Sequence, residues 1–284
     1  MDAAGVCCAV VGGVGPALLG IGVDCVVRSG PAGGDVVAYN GSGGAPARAT
    51  PGFYADTGIT EIEVTSPHAV TVPGAVDAWA CLIEDHGTMD LGALLRPAIA
   101  FARDGFPISS RVAHDWAANV DHLSHDPGTA EKYLADGQPP QVGSVLRLPA
   151  LAATLERIAE HGRDGFYSGP VARDIVTHLN ALGGLQSMDD FGAAKGEYVE
   201  PIHTDYGGYT VHECPANGEA VARRPRRRPL GVGRTPLERA AAQVGGRGFR
   251  VLAPRGDVIS QRVDTALGGQ RSADVAGGGS TRKT

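Results

Sequence analysis

The charge of this 284-residue chain reverses partway along, and that reversal limits what can fold together. Residues 1–220 carry 11 Lys+Arg against 27 Asp+Glu, a net of −16; residues 221–284 carry 14 against 4, a net of +10. The overall −6 conceals the break. The basic stretch has a single aromatic residue, Phe249, in 64 positions, and arginine crowds Arg223 to Arg228. Such a segment buries too little apolar surface to offset the entropy of ordering it. The expectation is a folded domain over 1–220, large enough for its own core, and an Arg-rich, disordered tail over 221–284. A change of reading frame near Ala220, in a GC-rich gene, is the other explanation of the same break.

Within the acidic part the chain mixes strands and helices. Ala3 to Val11 reads as a helix or buried segment stopped by Gly12-Gly13. Strands are expected at Cys25 to Arg28, Val36 to Tyr39 and Ala69 to Val72. Ala75 to Asp85 carries Val76, Trp79, Ala80 and Ile83 at three- and four-residue spacing, and His86-Gly87 ends it. Further helices are expected to open at Pro97, Pro149 and Pro170, and Gly105 and Gly183-Gly184 close the first and last of them. Proline lacks the amide hydrogen that a helix start leaves unused, and glycine accepts the left-handed cap. Tyr198 to His203 and Tyr209 to Glu213 flank Tyr206-Gly207-Gly208 as a hairpin.

Several attractive motifs fail on spacing. Gly12-Gly13-Val14-Gly15 follows an apolar run, but the third glycine of a dinucleotide fingerprint would fall at Leu18. Gly41-Ser42-Gly43-Gly44 mimics a serine-protease loop, yet no histidine precedes Ser42, the first being His68. His114, Asp121, His122, His125 and Asp126 are dense in metal-capable groups and match no zinc spacing. Five cysteines (Cys7, Cys8, Cys25, Cys81, Cys214) form no CxxC pair and read as ordinary thiols. The uncharged run from Ala3 to Val23 contains six glycines and Pro16, a poor membrane span with no basic residue before it. Arg223 to Arg228 lacks interleaved aromatics, so no nucleic-acid partner is expected. No cofactor, metal or membrane is expected, and the compartment stays open.

Ten short segments, in order, carry more. They are Asp2-Ala3-Ala4, Gly20-Ile21-Gly22, Asn40 to Pro46, Val72-Pro73-Gly74, Leu94 to Ile99, Asp104-Gly105-Phe106-Pro107, Gly165 to Pro170, Gly183-Gly184, Asp189-Asp190-Phe191 and Tyr206 to Val211. From Asp2 to about Gly218 the chain resembles the large-subunit part of the γ-glutamyltransferase (glutathione hydrolase) family. The resemblance implies an α+β fold of the N-terminal-nucleophile hydrolase type, an αββα sandwich of which this chain holds an incomplete share. It implies a proenzyme that cleaves itself, after which a new amino-terminal threonine attacks a γ-glutamyl amide such as that of glutathione. The free α-amine then serves as the threonine's general base, and backbone amides stabilise the oxyanion.

The resemblance also implies a carboxylate-binding loop at Asn40, Ser42 and Gly44. The family's clamping arginine would stand at Ser42 or Gly44; neither is arginine, and Arg48 lies four residues beyond. A bidentate guanidinium is what holds a carboxylate firmly, so γ-glutamyl specificity is not expected to carry over intact. The first strand of the family pattern is not matched, the likeness stops after Cys214-Pro215-Ala216-Asn217-Gly218, and no Thr-Thr-His start occurs. Thr235, Thr265, Thr281 and Thr284 lack its context. No catalytic residue is therefore assigned. The expectation is a chain inactive alone, acting on γ-glutamyl compounds only with a small-subunit partner; a non-catalytic assembly subunit and a hydrolase of another small amide are the alternatives.

Overall fold

The computed structural model describes residues 20–30, 34–206, 209–215, 249–252 and 258–261. They fall into two compact units, one of the described residues within 20–29 and 37–199, the other of those within 30–36 and from 200 onward. The expected helix at Ala3 to Val11, the turn at Gly12 to Gly15, and Arg223 to Arg228 lie outside the described residues.

The first unit is built on a three-stranded antiparallel sheet. Strand β1 (Cys25–Ser29) pairs with β2 (Val37–Gly41), and β2 with β5 (Glu197–Val199), in the order β1-β2-β5. Val27 lies opposite Tyr39 and Tyr39 opposite Tyr198, so the period of two puts Cys25, Val27 and Tyr39 on one face. That face packs on helix α2 (Ala75–His86) through Ala78 and Leu82. A short helix, α1 (Pro51–Thr57), precedes it.

Behind the sheet lies a helical layer. Helix α3 (Leu91–Asp104) starts at Asp90, whose side chain accepts from the Ala93 N–H, and buries Leu94, Leu95, Ala98, Ile99 and Ala102. The reading that Pro97 opens this helix is corrected: Pro97 sits inside it, on the exposed side. The Asp90 cap together with the burial of Leu94, Leu95, Ala98, Ile99 and Ala102 offsets the hydrogen bond that the proline removes. Short strands β3 (Phe106–Pro107) and β4 (Val145–Leu146) bracket helices α4 (Ser110–Ala118), α5 (Val120–Ser124) and α6 (Pro127–Tyr133). Helix α7 (Pro149–His161) has its proline in the first turn, and its Ala152, Leu155 and Ile158 are buried on one stripe. Helices α8 (Asp164–Tyr167), α9 (Gly169–Ala181) and α10 (Met188–Ala193) complete the unit. Val72, Val76, Trp79, Leu95, Ile99, Ile158, Phe166, Tyr167 and Phe191 share one core, and Phe106, Ile108, Val112, Trp116 and Leu148 a second. Each large side chain so buried contributes about 1.5–3 kcal/mol.

Two further strand expectations are corrected. Ala69 to Val72 is not a strand: a single 3-10 turn, Pro67–Ala69, ends there, and its Ser66 cap is bonded to the His68 N–H. Tyr198 to His203 is not one strand either. It divides at Pro201, which has no N–H to give a ladder; β5 ends at Val199 and β6 (Ile202–Tyr206) begins beyond it.

The second unit contains β6 and β7 (Tyr209–Glu213), antiparallel as the hairpin reading requires, with Ile202 opposite Glu213. Strands β8 (Phe249–Leu252) and β9 (Val258–Gln261) extend it in the order β6-β7-β8-β9. Both lie within the segment expected as a tail; the other residues from 216 onward lie outside the described ones.

Candidate functional site

Where β2 ends, the chain passes through Ser42, Gly43, Gly44, Ala45 and Pro46 without regular structure, yet it is held at every step. Asn40 Oδ1 accepts from the Ser42 N–H at 3.2 Å, the side-chain-to-backbone turn that asparagine makes readily. The Gly43 N–H donates to Asp24 Oδ1 at 3.1 Å. Val72 N–H donates to the Gly44 carbonyl at 2.9 Å. A Cβ on Gly43 would stand 1.5 Å from the Val72 carbonyl oxygen, and one on Gly74 would stand 2.0 Å from that of Gly41. Glycine is required there because two backbones touch. Gly44 differs: a Cβ on it meets nothing within 4 Å. Beyond Pro46 the chain turns, with Ala49 N–H bonded to the Pro46 carbonyl at 2.8 Å, and the Ala47 N–H donates to Asp190 Oδ1 at 2.8 Å.

Asp190 serves two masters. Its Oδ2 accepts from the Ser187 N–H at 2.8 Å and the Ser187 hydroxyl at 2.6 Å, and Ser187 in turn accepts from the Asp190 N–H, forming the capping box of α10. Partial burial pushes its carboxyl up, but the bonds from Ser187 and Ala47, with Arg48 nearby, outweigh that and leave it below the usual carboxylate value.

Beneath the loop lies a buried polar node on Asp77, which is 4% exposed. Its carboxylate accepts from Tyr39 Oη at 3.0 Å, Arg163 Nε at 2.6 Å and the Gly196 N–H at 2.7 Å. Its own N–H donates to Tyr167 Oη at 3.2 Å, and that hydroxyl donates to the Pro73 carbonyl at 2.6 Å. Arg163 also donates to the Ala194 carbonyl and lies 4.6 Å over the Tyr167 ring, a cation–π placement. Burial pushes the phenols of Tyr39 and Tyr167 up, well above the ordinary tyrosine value. They stay neutral donors, and the node joins β2, α2, α8 and the Pro73 turn directly under the loop.

Of the expected site residues, Asn40, Ser42 and Gly44 are brought together in this one loop. Asn40 spends its side-chain oxygen on the loop itself, whereas Ser42 and Gly44 face outward with partial and full exposure. His114, Asp121, His122, His125 and Asp126 spread over α4, α5 and the cap of α6; among the described residues no three metal-capable side chains converge. Asp126 instead caps α6, accepting from the Thr129 N–H and hydroxyl at 2.8 Å each. Among the described residues no helix is long and apolar enough to cross a membrane. Asp24, Asp77, Arg163, Tyr167 and Asp190 were not singled out from the sequence for any role. Two signals were available: a carboxylate between Val76 and Trp79 on an apolar helix face, and the Ser187-x-x-Asp190 spacing of a capping box.

The mixed fold of helices around a small antiparallel sheet, with a glycine loop pinned at one strand end, matches solved N-terminal-nucleophile hydrolases. Solved structures of that class align with it. γ-Glutamyltranspeptidase of Helicobacter pylori matches with a TM-score of 0.73 and 26% identity, over 77% of this chain and 64% of that one. Cephalosporin acylase of Bacillus halodurans gives 0.73 and 34% identity, over 78% and 42%. The γ-glutamyltranspeptidase family model matches residues 1–223, and the chain belongs to that family. Among curated relatives, the glutathione hydrolase-like YwrD proenzyme of Bacillus subtilis is 35% identical over 65% of this chain. The oxamate amidohydrolase proenzyme of Klebsiella pneumoniae is 36% identical over 66%. The chain spans about a third of the length of these relatives, 35% and 36%.

Proposed function

We propose that this chain supplies the scaffold and one wall of an amide-cleaving site that works by acyl transfer, in which a threonine at a newly exposed amino terminus attacks a small amide of the γ-glutamyl class, such as glutathione. The observation that carries this reading is the pinned loop: Ser42 is partly and Gly44 fully exposed on a backbone held by Asp24, Val72 and Asp190. A wall fixed before substrate arrives spends no binding energy on its own ordering.

The attacking hydroxyl comes from a threonine-led partner or segment and not from the described residues. Thr50, Thr57, Thr129, Thr154 and Thr210 use their hydroxyls within the fold, and so do not stand as free nucleophiles. Each stands at an internal position, where no free α-amine lies beside it to take the proton.

A second reading concerns the substrate. Neither Ser42 nor Gly44 offers a positive charge, and relatives are named for oxamate and cephalosporin as well as glutathione. This favours an amide whose carboxylate, present in oxamate and glutathione alike, is held elsewhere than at this loop.

The test is to incubate the purified full chain with glutathione, oxamate and glutaryl amides, alone and with a threonine-led small subunit of the family. Turnover should require the added subunit, and the acyl group should be trapped on its first threonine. Glutathione cleavage by the chain alone, with label on one of its own side chains, would end this reading.

A further inference from the structure

The chain leaves the candidate loop at Ala47 and returns to it at Val72, and the excursion between them is poorly packed. Helix α1 within it buries none of its residues, and Val64 is 89% exposed. Its internal packing is one nest of Phe53, Tyr54 and His68, with ring centroids 5.3, 5.6 and 5.9 Å apart. A segment that buries so little keeps one position only if its ends are tethered.

One tether, Gln186, lies in the short connection between α9 and α10, and the other, Asp190, in the first turn of α10. At the outgoing end, Asp190 Oδ1 accepts from the Ala47 N–H at 2.8 Å. At the returning end, Gln186 Nε2 donates to the Val70 carbonyl at 2.6 Å. Gln186 is 2% exposed, and its own carbonyl accepts from Asn180 Nδ2 at 3.1 Å. A Cβ on Gly184 would come within 2.6 Å of Gln186 Oε1, so the small residue there leaves the amide its place. The capping box holds Asp190 as firmly. The return then closes on the loop through the bond from Val72 N–H to the Gly44 carbonyl.

We propose that Gln186 and Asp190 form a two-point clamp that positions the loop from Asn40 to Pro46 and the excursion rising from it, and that both are positioning residues of the site. That the loop is a substrate wall rests on the function proposed above; the clamp itself rests on geometry alone. Freed at either end, the excursion swings on the Val72 contact and the exposed face of Ser42 and Gly44 loses its fixed setting.

Ala47 occupies the second position of the turn closed by Pro46 and Ala49, where proline fits without strain. Ala47→Pro therefore removes the donated hydrogen and leaves Asp190 with its helix cap. Amide hydrogen exchange of the full chain, read by mass spectrometry, is the measurement. In Ala47→Pro, peptides covering 40–49 should exchange on the order of tenfold faster or more, the effect of losing a bond to a charged acceptor. In Gln186→Leu the same change should appear at 66–72. Peptides of α2 and α7 should stay as in the parent. Ser187→Ala removes the hydroxyl that steadies Asp190 but keeps the Ser187 N–H bond to its Oδ2 and the bond to Ala47, so it should speed exchange at 40–49 less than Ala47→Pro does. Unaltered exchange at 40–49 in Ala47→Pro overturns the clamp, and so does acceleration spread evenly through α2, α7 and the loop. Titration with glutathione is read separately. Weakening of tenfold or more in the clamp variants supports positioning of a substrate wall, whereas failure of the parent chain to bind tells against the substrate reading and leaves the clamp to be judged by exchange.

Discussion

Asp77 and Asp190 perform the same local chemistry in opposite surroundings. Each carboxylate accepts a backbone N–H from far along the chain, Gly196 in one case and Ala47 in the other, 119 and 143 residues away. Each also accepts from a second side chain: Arg163 and Tyr39 for Asp77, Ser187 for Asp190. Asp77 is sealed under the sheet, and Asp190 is half-buried at the surface. In the dry site every partner depends on the charge, because no water replaces it. At the wet site water substitutes for a lost partner, and only the local geometry is at stake. One residue holds the fold together and the other holds the loop in place.

The largest effect should therefore follow Asp77→Ala. It strands the buried Tyr39 hydroxyl and unpairs the Gly196 N–H and the Arg163 guanidinium, whose side chain is 29% exposed. The loss should therefore approach, from below, the roughly 3–5 kcal/mol that breaking a fully buried pair costs. Urea unfolding should show that loss, or no cooperative transition at all. A loss under about 1 kcal/mol would mean that water reaches the node, and the contrast with Asp190 would collapse.

Gly43→Ala should come next. Its Cβ is driven to 1.5 Å from the Val72 carbonyl oxygen, so the backbone contact between the loop and the Pro73 turn must open. Forced overpacking of this kind costs about 1–3 kcal/mol. Gly44→Ala, with open space around it, should stay within about 0.5 kcal/mol of the parent. Equal losses in the two variants would remove the reason for regarding this loop as pinned.

These two glycines mark how far the sequence could be read. The motif Asn40 to Pro46 identified the loop, and the apolar spacing in 75–85 and 149–158 identified the helices behind it, because amphipathic periodicity survives in one dimension. Nothing in Gly41-Ser42-Gly43-Gly44 distinguishes the glycine that touches another backbone from the one that touches nothing. That distinction is made by Val72, 29 residues beyond Gly43, and appears only in three dimensions. Asp77 was hidden for the same reason, since its partners lie 38, 86 and 119 residues off. Pro97 misled in the other direction: a strong local rule placed a helix start at a residue that Asp90 had already overruled from seven positions earlier.

At Asp190 the comparison can be sharpened with pH. Its carboxyl lies below the ordinary value in the folded chain, so the folded form holds the proton less tightly than the unfolded form. The stabilisation is then complete above the unfolded value of about 3.9 and is lost as pH falls through the lower folded value. Melting temperature followed from pH 6 to pH 2 should drop less steeply in Asp190→Asn than in the parent. Parallel curves would show that the carboxylate carries no net charge-dependent bond to Ala47 and Ser187.

A further small effect belongs to a third polar contact between sheet and helix. Tyr198 Oη donates to Asp85 at 2.6 Å and lies 3.1 Å from His86 Nε2, while its ring stands edge-on to Tyr39 at 5.0 Å. Partial burial and the bond to Asp85 push this phenol up, out of the range where it would ionise near neutral pH. Yet Tyr198 is 42% exposed, so water takes over both polar partners once the hydroxyl is gone. Tyr198→Phe keeps the aromatic pair and should cost no more than about 0.5–1 kcal/mol. A loss approaching that of Asp77→Ala would mean that the open edge of β5 is as dry as the node beneath it, and burial would no longer separate the carboxylates that hold the fold from those that hold the surface.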